Sequence, residues 1–335
     1  MKLGRGSYGE VVSRDGEAVK KFKKPSHLIQ EYIACRYLSD ARNIVVPRGI
    51  SIPDLELRMV LYKTTLRRWM ESNHSASYNQ KKRVAHSILL GLTEIHMRDL
   101  VHGDIKPGNI LMDDNYEAHI GDLGFVSSSP YAKVERTAAF YRDPEIKKGP
   151  EHDMFSFGIV LLELFGNYRL KEQLDYHDIH ELAKKHVDSK KVRDLIIELT
   201  DKKHKKRPTS LEVLRDFFED HKYGYHKKSR PQILELNSES LRRKILNDMK
   251  EVADKYSIHR LKKGNKAIST YIVREGIDEK DHGLYSGCMM IILSSVFGKS
   301  GFSVDQLSEK YPEKTINRVL TDLVKSDYVL GILFG

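Results

Sequence analysis

Val101-His102-Gly103-Asp104-Ile105-Lys106-Pro107-Gly108-Asn109 is the stretch that decides the fold, and Asp122-Leu123-Gly124 follows it closely in the chain. In phosphoryl transfer, one carboxylate accepts the proton of the substrate hydroxyl, while a carboxamide and a second carboxylate hold the magnesium ions. We expect Asp104, Asn109 and Asp122 to fill these three roles in that order. The sequence therefore predicts a catalytic loop followed by a metal-binding turn.

The same residues resemble the eukaryotic protein kinase family, whose pattern here is His-Arg-Asp-Leu-x-x-x-Asn followed by Asp-Phe-Gly. Gly103 stands where the family usually has arginine, and Leu123 stands where it usually has phenylalanine. The resemblance implies that Lys106, as in the serine/threonine branch, contacts the γ-phosphate and the incoming hydroxyl. Because Gly103 replaces the arginine that commonly binds an activation-segment phosphate, we predict that activity does not require phosphorylation of that segment. The hydroxyl residues concerned are Ser127, Ser128, Ser129 and Thr137.

Length and composition are those of a globular protein with two domains. The chain has 335 residues, of which 40% are apolar. The apolar segments near 158–165 and 288–297 are too short to span a bilayer, and no apolar leader precedes Gly4. Only Cys35 and Cys288 are present, which is too few for a disulfide framework. We therefore expect an intracellular protein, cytoplasmic or nuclear, with no membrane contact.

The net charge of +10 is spread evenly along the chain. Residues 1–222 carry 38 basic against 33 acidic side chains, and the remainder carries 19 against 14. The densest basic run, 202–207, contains no aromatic residues that could stack on bases. We interpret it as a solvated loop beside a helix rather than as a nucleic-acid patch, and we predict no nucleic-acid partner.

The first residues contain a glycine-rich pattern, Gly4-Arg5-Gly6-Ser7-Tyr8-Gly9, before the β-favouring pair Val11-Val12. A dinucleotide-binding fingerprint requires a strand before the glycines and a helix after them, and neither is indicated here. Asp15-Gly16 is typical of a tight turn between two strands. The sequence therefore predicts a glycine-rich β-hairpin whose backbone can approach nucleotide phosphates closely.

A lysine on the second strand is the expected phosphate ligand. Ala18-Val19-Lys20 resembles the Ala-x-Lys of the family, and strand alternation allows only one of Lys20 and Lys21 to face the nucleotide. We choose Lys20. The helix predicted over 26–39 offers Glu31 as the partner that orients this lysine, the alternative being a glutamate that faces solvent.

The stretch 57–62 is predicted to be the strand that leads into the hinge between lobes. Leu61 is the gatekeeper by position, although a register shift of one residue would exchange the two faces of this strand. The resemblance implies a set of nucleotide-binding residues: Gly4, Gly6, Gly9, Val11, Ala18, Lys20 and Leu61.

Helical patterns dominate the following region. They cover 66–72, 79–98 and 153–165, and the second carries a buried stripe that would support the catalytic loop. Two short strands, 110–112 and 119–121, would form the hairpin that holds Asp122. Family resemblance implies that Glu145 pairs with Arg207 as a structural clamp, and that Asp153 braces the backbone of the catalytic loop.

The last third of the chain contains a polar linker at 223–236 and then further helical patterns. The helices are predicted at 241–252, 284–297, 303–311 and 314–327, with an incomplete end at 329–334. They resemble a cyclin box, although 294–299 does not show both the lysine and the glutamate by which cyclins usually engage a kinase. An unrelated helical bundle remains the alternative. The cyclin-like resemblance implies contact with the Glu31 helix, within the chain or between chains.

These observations predict an α+β chain. A bilobal protein kinase fold would cover 1–222, with a β-rich N-lobe at 1–63 and a mainly helical C-lobe at 64–222, followed by an all-α cyclin-like domain at 237–335. The resemblance implies an ATP- and Mg²⁺-dependent serine/threonine kinase acting on protein substrates. A catalytically weak, kinase-like scaffold is the main alternative. A small-molecule phosphotransferase is disfavoured by the residues 141–145 and by Arg207.

Overall fold

The computed structural model describes residues 2–5, 9–128, 139–145, 149–220, 258–297 and 302–334. The chain divides into two compact units. Unit 1 contains 1–37, 47–60 and 228–335, and unit 2 contains 38–46 and 61–227. Gly6, Ser129, Thr137, the predicted linker 223–236 and the helix predicted at 241–252 lie outside the described residues.

Unit 1 begins with a five-stranded antiparallel sheet in the order β1-β2-β3-β5-β4. The expected turn between β2 and β3 is present, because Asp15 and Gly16 have φ values of 52° and 77°. Two successive positive φ angles define the turn type whose twist matches a β-hairpin. The strands are β1 (Lys2–Arg5), β2 (Gly9–Arg14), β3 (Glu17–Phe22), β4 (Pro47–Ser51) and β5 (Glu56–Val60).

Helix α1 (Pro25–Tyr37) is buried on nearly every side. It packs on β3, β4 and β5, and it also packs on helices from the end of the chain. A helix whose buried side chains are not confined to one stripe has neighbours on more than one face. The buried residues are Leu28, Ile29, Glu31, Tyr32, Ile33, Ala34 and Cys35.

Within 258–297 and 302–334, the described residues near the end of the chain, five helices belong to unit 1. They are α8 (Ile258–Glu275), α9 (His282–Phe297), α10 (Val304–Ser308), α11 (Glu313–Lys325) and α12 (Asp327–Phe334). Helices α9, α11 and α12 all contact α1, and Arg36 of α1 forms an ion pair of 3.0 Å with Asp327 of α12. The helices predicted at 284–297, 303–311 and 314–327 are present with shifted ends, and α12 covers the predicted incomplete end at 329–334. Their identity as a cyclin box stays a prediction.

Unit 2 is mainly helical. Its helices are α2 (Leu66–Ser72), α3 (Tyr78–His96), α4 (Pro150–Gly166), α5 (Tyr176–His186), α6 (Lys190–Leu199) and α7 (Ser210–Asp216). Ser77 and Gln80 form a capping box that begins α3, and α4 is buried along most of its length. These two helices are the core on which the catalytic loop rests.

Two small sheets complete unit 2. Strands β6 (Thr64–Thr65), β8 (Ile110–Met112) and β9 (Ala118–Ile120) form one, and β7 (Leu100–Val101) pairs with β10 (Ser127–Ser128) in the other. Among the helices that the structure describes, none is long and apolar enough to cross a membrane.

Candidate active site

The β2–β3 hairpin fixes the register of the residues predicted to bind nucleotide. Val11 lies opposite Lys20, and Ala18 lies opposite Met59 of β5. A Cβ added at Gly9 would lie 1.9 Å from the carbonyl oxygen of Lys21, so only glycine allows the two strands to approach this closely. No such clash exists at Gly4.

Lys20 and Glu31 form a buried ion pair within unit 1. The Nζ atom of Lys20 lies 2.9 and 2.6 Å from the two carboxylate oxygens of Glu31, and both residues are buried. Lys21 is exposed, as strand alternation predicts. The predicted pairing of Lys20 with Glu31 is confirmed, and the alternative of a solvent-facing glutamate is wrong. The role of Lys20 as a phosphate ligand stays a prediction.

Leu61 follows the last residue of β5 and has 37% of its surface exposed. The buried side chains of this strand are Leu57 and Met59. The role of Leu61 as gatekeeper stays a prediction.

In unit 2, Asp104 is a buried carboxylate that accepts two side-chain hydrogen bonds on one oxygen. The Nζ atom of Lys106 lies 2.5 Å from Oδ2, and the Nδ2 atom of Asn109 lies 2.8 Å from it. Asn109 also donates to the backbone carbonyl of Asp104 at 2.9 Å. These two hydrogen bonds, from side chains of the same short loop, fix the orientation of the Asp104 carboxylate. The structure thus brings together three residues of the predicted catalytic loop.

His102 positions this loop against the hairpin that follows it. Its Nδ1 accepts the backbone N–H of Asp104 at 3.2 Å, so its Nε2 is the protonated nitrogen and donates to the carbonyl of Gly121 at 3.0 Å. With no exposed surface, the ring is a rigid link between the catalytic loop and the residue before Asp122.

Asp153, in the first turn of α4, braces the loop from the other side. Its two carboxylate oxygens accept the backbone N–H groups of His102 at 2.7 Å and Gly103 at 2.8 Å. His96 contributes a third bond of 3.1 Å. Gly103 has φ +78°, a conformation that L side chains rarely adopt. The predicted bracing role of Asp153 is confirmed.

Burial by itself raises the pKa of Asp153. The hydrogen bond from His96 and the nearby His102 and His152 oppose this effect, and the net pKa lies below the usual range. The carboxylate is therefore charged at neutral pH and is a strong acceptor for the two backbone N–H groups of the loop.

Asp122 lies at the same end of the β8–β9 hairpin as Asn109. Ile110 pairs with Ile120, and the N–H of Gly121 donates to the carbonyl of Asn109 at 2.8 Å. Asp122 itself has φ 57° and ψ 57°, a left-handed conformation that turns the chain directly after the hairpin. The structure therefore confirms that the hairpin holds Asp122, whose role as a metal ligand stays a prediction.

The chemistry of this pair fits Mg²⁺. Both hydrogen bonds of the Asn109 side chain use Nδ2, which leaves its amide oxygen as a ligand atom. Hard cations prefer oxygen ligands, and Asp122 supplies a carboxylate. Asn109 and Asp122 are thus the residues that would hold the ion.

A second group of ligand-type side chains lies at the opposite end of the same hairpin. Oxygen and nitrogen atoms of Asp113, Glu117 and His119 come within 4.8 Å of one another. The Asp113 carboxylate accepts the backbone N–H groups of Asn115 and Glu117 at 2.9 and 2.8 Å. This geometry closes the turn between the two strands, which is a structural role.

The clamp predicted between Glu145 and Arg207 is wrong. Arg207 instead forms its ion pair with Asp143 at 2.7 Å, and neither side chain has exposed surface. Asp143 also accepts the hydroxyl of Tyr176 at 2.6 Å and the N–H of Glu145 at 2.9 Å. The side chain of Asp143 is buried, and it lies beside the guanidinium of Arg207 in the place predicted for Glu145. The Glu145 carboxylate instead lies 3.9 Å from the exposed Lys202.

Burial raises the pKa of Asp143, but hydrogen bonds from Tyr176, from the N–H of Glu145 and from Arg207 outweigh it. The net pKa lies below the usual range. The pair is therefore charged at neutral pH and fully removed from solvent.

Sequence reasoning missed a second anchor of the same segment. The hydroxyl of Tyr141 donates to Glu163 of α4 at 2.7 Å, and Arg67 of α2 donates to the same carboxylate oxygen at 2.7 Å and to the Tyr141 hydroxyl. Burial and the adjacent Glu163 raise the pKa of Tyr141. These residues lie far apart in the chain, and no short motif connects them.

Comparison with known proteins gives a consistent result. The family model of the protein kinase domain matches residues 1–218. The interferon-induced, double-stranded RNA-activated protein kinase of Rattus norvegicus is 27% identical over 172 residues, covering 47% of this chain and 33% of the relative. Serine/threonine-protein kinase NLK2 of Xenopus laevis is 28% identical over 194 residues, covering 49% and 43%. Calmodulin-binding receptor-like cytoplasmic kinase 2 of Arabidopsis thaliana is 27% identical over 203 residues, covering 50% and 49%.

The chain thus spans less than half the length of these curated relatives. Its β-sheet N-terminal region and its helical content fit the bilobal kinase fold. Since the family model covers well over half of the chain, and the Lys20–Glu31 pair and the Asp104 loop have the expected contacts, this chain belongs to the protein kinase domain family.

Proposed function

We propose that this chain is a serine/threonine protein kinase that transfers the γ-phosphate of ATP to hydroxyl groups of proteins. The observation that carries the proposal is the buried Asp104 carboxylate, oriented by Lys106 and Asn109. Lysine two residues after the catalytic aspartate favours the serine/threonine branch over the tyrosine-specific one. The curated names of relatives such as NLK2 support the same assignment.

Each residue has a distinct task in this mechanism. Asp104 accepts the proton of the substrate hydroxyl, and Lys106 neutralises charge on the γ-phosphate as the bond to the leaving group breaks. Lys20, oriented by Glu31, binds the α- and β-phosphates. Bound Mg²⁺ would supply further neutralisation of the phosphate charge.

The alternative of a catalytically weak scaffold is less well supported. A chain that had lost phosphoryl transfer is expected to have lost one of the charged groups or their contacts. In this chain Lys20 retains its pairing with Glu31, and Asp104 retains Lys106 and Asn109.

A transfer assay with radiolabelled ATP tests the proposal. Purified full-length protein is incubated with peptides that contain serine, threonine or tyrosine, and the labelled amino acid is identified. We expect label on serine and threonine in the wild type and its loss in Asp104→Asn. Label on tyrosine alone would refute the specificity, and label that persists in Asp104→Asn would refute the catalytic assignment.

We further propose that the helices at the end of the chain keep the kinase active by holding α1. Helix α1 carries Glu31, and it packs on α9, α11 and α12 as well as on the sheet. A buried ion pair is stable only when its geometry is maintained, because an unpaired buried charge is strongly unfavourable. Contacts on the second face of α1 favour the conformation in which Glu31 meets Lys20.

Leu330→Asp tests this arrangement in the full chain. Leu330 of α12 is 2% exposed, so a carboxylate there should detach α12 from its neighbours. We expect at least a tenfold loss of kcat/KM for ATP. Trp69, the single tryptophan, lies in unit 2, and its fluorescence should show an unchanged unfolding transition of that unit.

The matched control is Lys325→Asp, an exposed position on α11. Its activity should equal that of the wild type. Equal activity of Leu330→Asp and Lys325→Asp would refute the proposed role of the helices, as would equal activity from residues 1–225 alone.

A further inference from the structure

The loop between α6 and α7 presents a concentrated positive charge. We call residues 202–206 the cationic loop, and its four lysines are Lys202, Lys203, Lys205 and Lys206, all exposed. Within the part of the chain that the structure describes, Lys202 is the only one of the four with an ion pair, a contact of 3.9 Å with Glu145. The lysines therefore form a surface whose charge is largely uncompensated.

The backbone of the cationic loop is ordered by its own hydrogen bonds. Residues 204–206 form a short helical turn, and the N–H of Lys206 donates to the carbonyl of Lys203 at 2.7 Å. The N–H of Lys203 donates to the Asp201 carboxylate at 2.6 Å. The Nε atom of Arg207 donates to the carbonyl of Asp201 at 2.8 Å. These hydrogen bonds order the backbone that carries the lysines, so less backbone entropy is lost when the loop binds a partner.

Arg207 connects the cationic loop to the catalytic loop through α4. Its Nη1 donates to the carbonyl of Glu151 at 3.0 Å and to the carboxylate of Asp143. Glu151 and Asp153 belong to the same first turn of α4, and Asp153 accepts the N–H of Gly103.

We propose that the cationic loop is a specificity site that binds an acidic stretch of the protein substrate. The inference rests on the proposed kinase activity and adds a substrate class to it. The chemistry recognised is a cluster of anionic groups, either carboxylates or phosphates.

The surroundings of the loop favour a peptide over a nucleic acid. It contains no Phe, Tyr or Trp, and its one imidazole, that of His204, is half-buried, so it offers little platform for base stacking. Arg207 connects the cationic loop to the first turn of α4, which braces the catalytic loop. A protein substrate bound at the catalytic loop is therefore the partner that this positive charge favours. Binding of nucleic acid at the cationic loop in place of an acidic peptide would overturn the proposal.

A peptide series tests the distance and the charge. Each peptide carries one serine in a neutral sequence, with four aspartates placed two, five or eight residues away on either side. We expect at least one placement of the aspartates to lower KM relative to the neutral peptide, with kcat unchanged. Phosphoserine peptides of the same spacing determine which anion binds more tightly. A KM that is independent of the acidic cluster would overturn the proposal.

The matched variants are Lys205→Glu combined with Lys206→Glu, and Lys310→Glu combined with Lys314→Glu at exposed positions of unit 1. Both change the net charge by the same amount. We expect the first to raise KM for the best acidic peptide about tenfold at low salt and less at high salt, because exposed charges are screened. The second should leave KM unchanged, and equal effects of both would contradict the proposal.

Two further readouts separate the possible failures. A neutral peptide reports the kinase activity itself, and its turnover should be equal in both double variants and absent in Asp104→Asn. Fluorescent single-stranded RNA is the second probe. RNA binding that is lost with the lysines at 205 and 206, while KM for peptides stays constant, would assign the loop to a nucleic-acid partner instead.

Discussion

Asp143→Ala is the substitution that most sharply tests the reassigned clamp. It removes a fully buried carboxylate that accepts hydrogen bonds from Arg207 at 2.7 Å, from Tyr176 at 2.6 Å and from the N–H of Glu145 at 2.9 Å. Removing one partner of a buried ion pair typically costs about 3–5 kcal/mol, because the other charge stays buried without compensation. We expect unit 2 to lose about 4 kcal/mol of unfolding free energy.

The matched control is Glu145→Ala, since family resemblance alone would assign the clamp to Glu145. Its side chain is 37% exposed, and its ion pair with Lys202 spans 3.9 Å. An exposed pair of this kind contributes less than about 1 kcal/mol. The two substitutions remove carboxylates two positions apart in the chain, so the comparison isolates the effect of burial.

Thermal unfolding followed by the fluorescence of Trp69 measures the difference. The residue is 5% exposed and belongs to unit 2, so its signal reports the unit that contains the clamp. For a unit of this size, each kcal/mol lowers Tm by about 2–4 °C. Asp143→Ala should therefore lower Tm by about 8–16 °C, and Glu145→Ala by less than about 4 °C. Equal shifts, or a shift below about 2 °C for Asp143→Ala, would refute the assignment.

Three further predictions concern acid stability, the ion pair of α1 and regulation. Because the pKa of Asp143 is lowered in the folded state, its stabilisation is present above the ordinary value of about 3.9 and is lost as the pH falls through the folded pKa. Urea titrations followed by Trp69 fluorescence measure the difference in unfolding free energy between wild type and Asp143→Ala. This difference should be constant from pH 5 to 7 and should shrink below about pH 4. A difference that stays constant down to pH 2 would contradict the prediction. Glu31→Gln leaves Lys20 without its charged partner and should lower kcat/KM for ATP by about 10- to 100-fold in steady-state assays, a loss of about 1.4–2.7 kcal/mol, whereas unchanged kinetics would argue against the pair. Phosphatase treatment should leave turnover unchanged because Gly103 offers no guanidinium to a phosphate, and abolished turnover would reject this expectation.

Short motifs were sufficient to predict the Lys20–Glu31 pair and the contacts of the Asp104 loop. Lys20 was chosen over Lys21 by the resemblance of Ala18-Val19-Lys20 to the family motif, and strand alternation allows only one of the two to face the nucleotide. The bracing role of Asp153 was implied by the resemblance to the family, and the structure shows how it is carried out, since this one buried carboxylate accepts two successive N–H groups of the loop. In both cases the geometry follows from local structure and from a single long-range contact.

The clamp and the anchor at Tyr141 depend on information that local sequence does not contain. Asp143 and Glu145 are both within reach of Arg207, and only packing decides which carboxylate becomes buried. The contact of Tyr141 with Arg67 and Glu163 joins three separate elements. Such a network cannot be inferred from local sequence, because Tyr141, Arg67 and Glu163 lie far apart in the chain and each is an ordinary polar residue in its own segment.

The environment of α1 was also only partly predictable. The sequence indicates a helix with apolar residues at helical spacing and a glutamate at position 31. It does not show that the opposite face is covered by α9, α11 and α12, which follow more than 200 residues later. A helix buried on several faces has little amphipathic pattern, so its second neighbour could not be inferred from periodicity.

Single-turnover transfer by wild type and Asp104→Asn, each saturated with radiolabelled ATP and peptide, tests the central claim most directly. The substitution keeps the shape of the side chain but removes the base, so the rate constant for transfer should fall by about 10² or more. The affinity for ATP, measured separately by equilibrium binding, should change less than about twofold, since the role proposed for Asp104 is toward the substrate hydroxyl and not toward the nucleotide. A transfer rate equal to that of the wild type, with ATP bound equally well, would contradict the account.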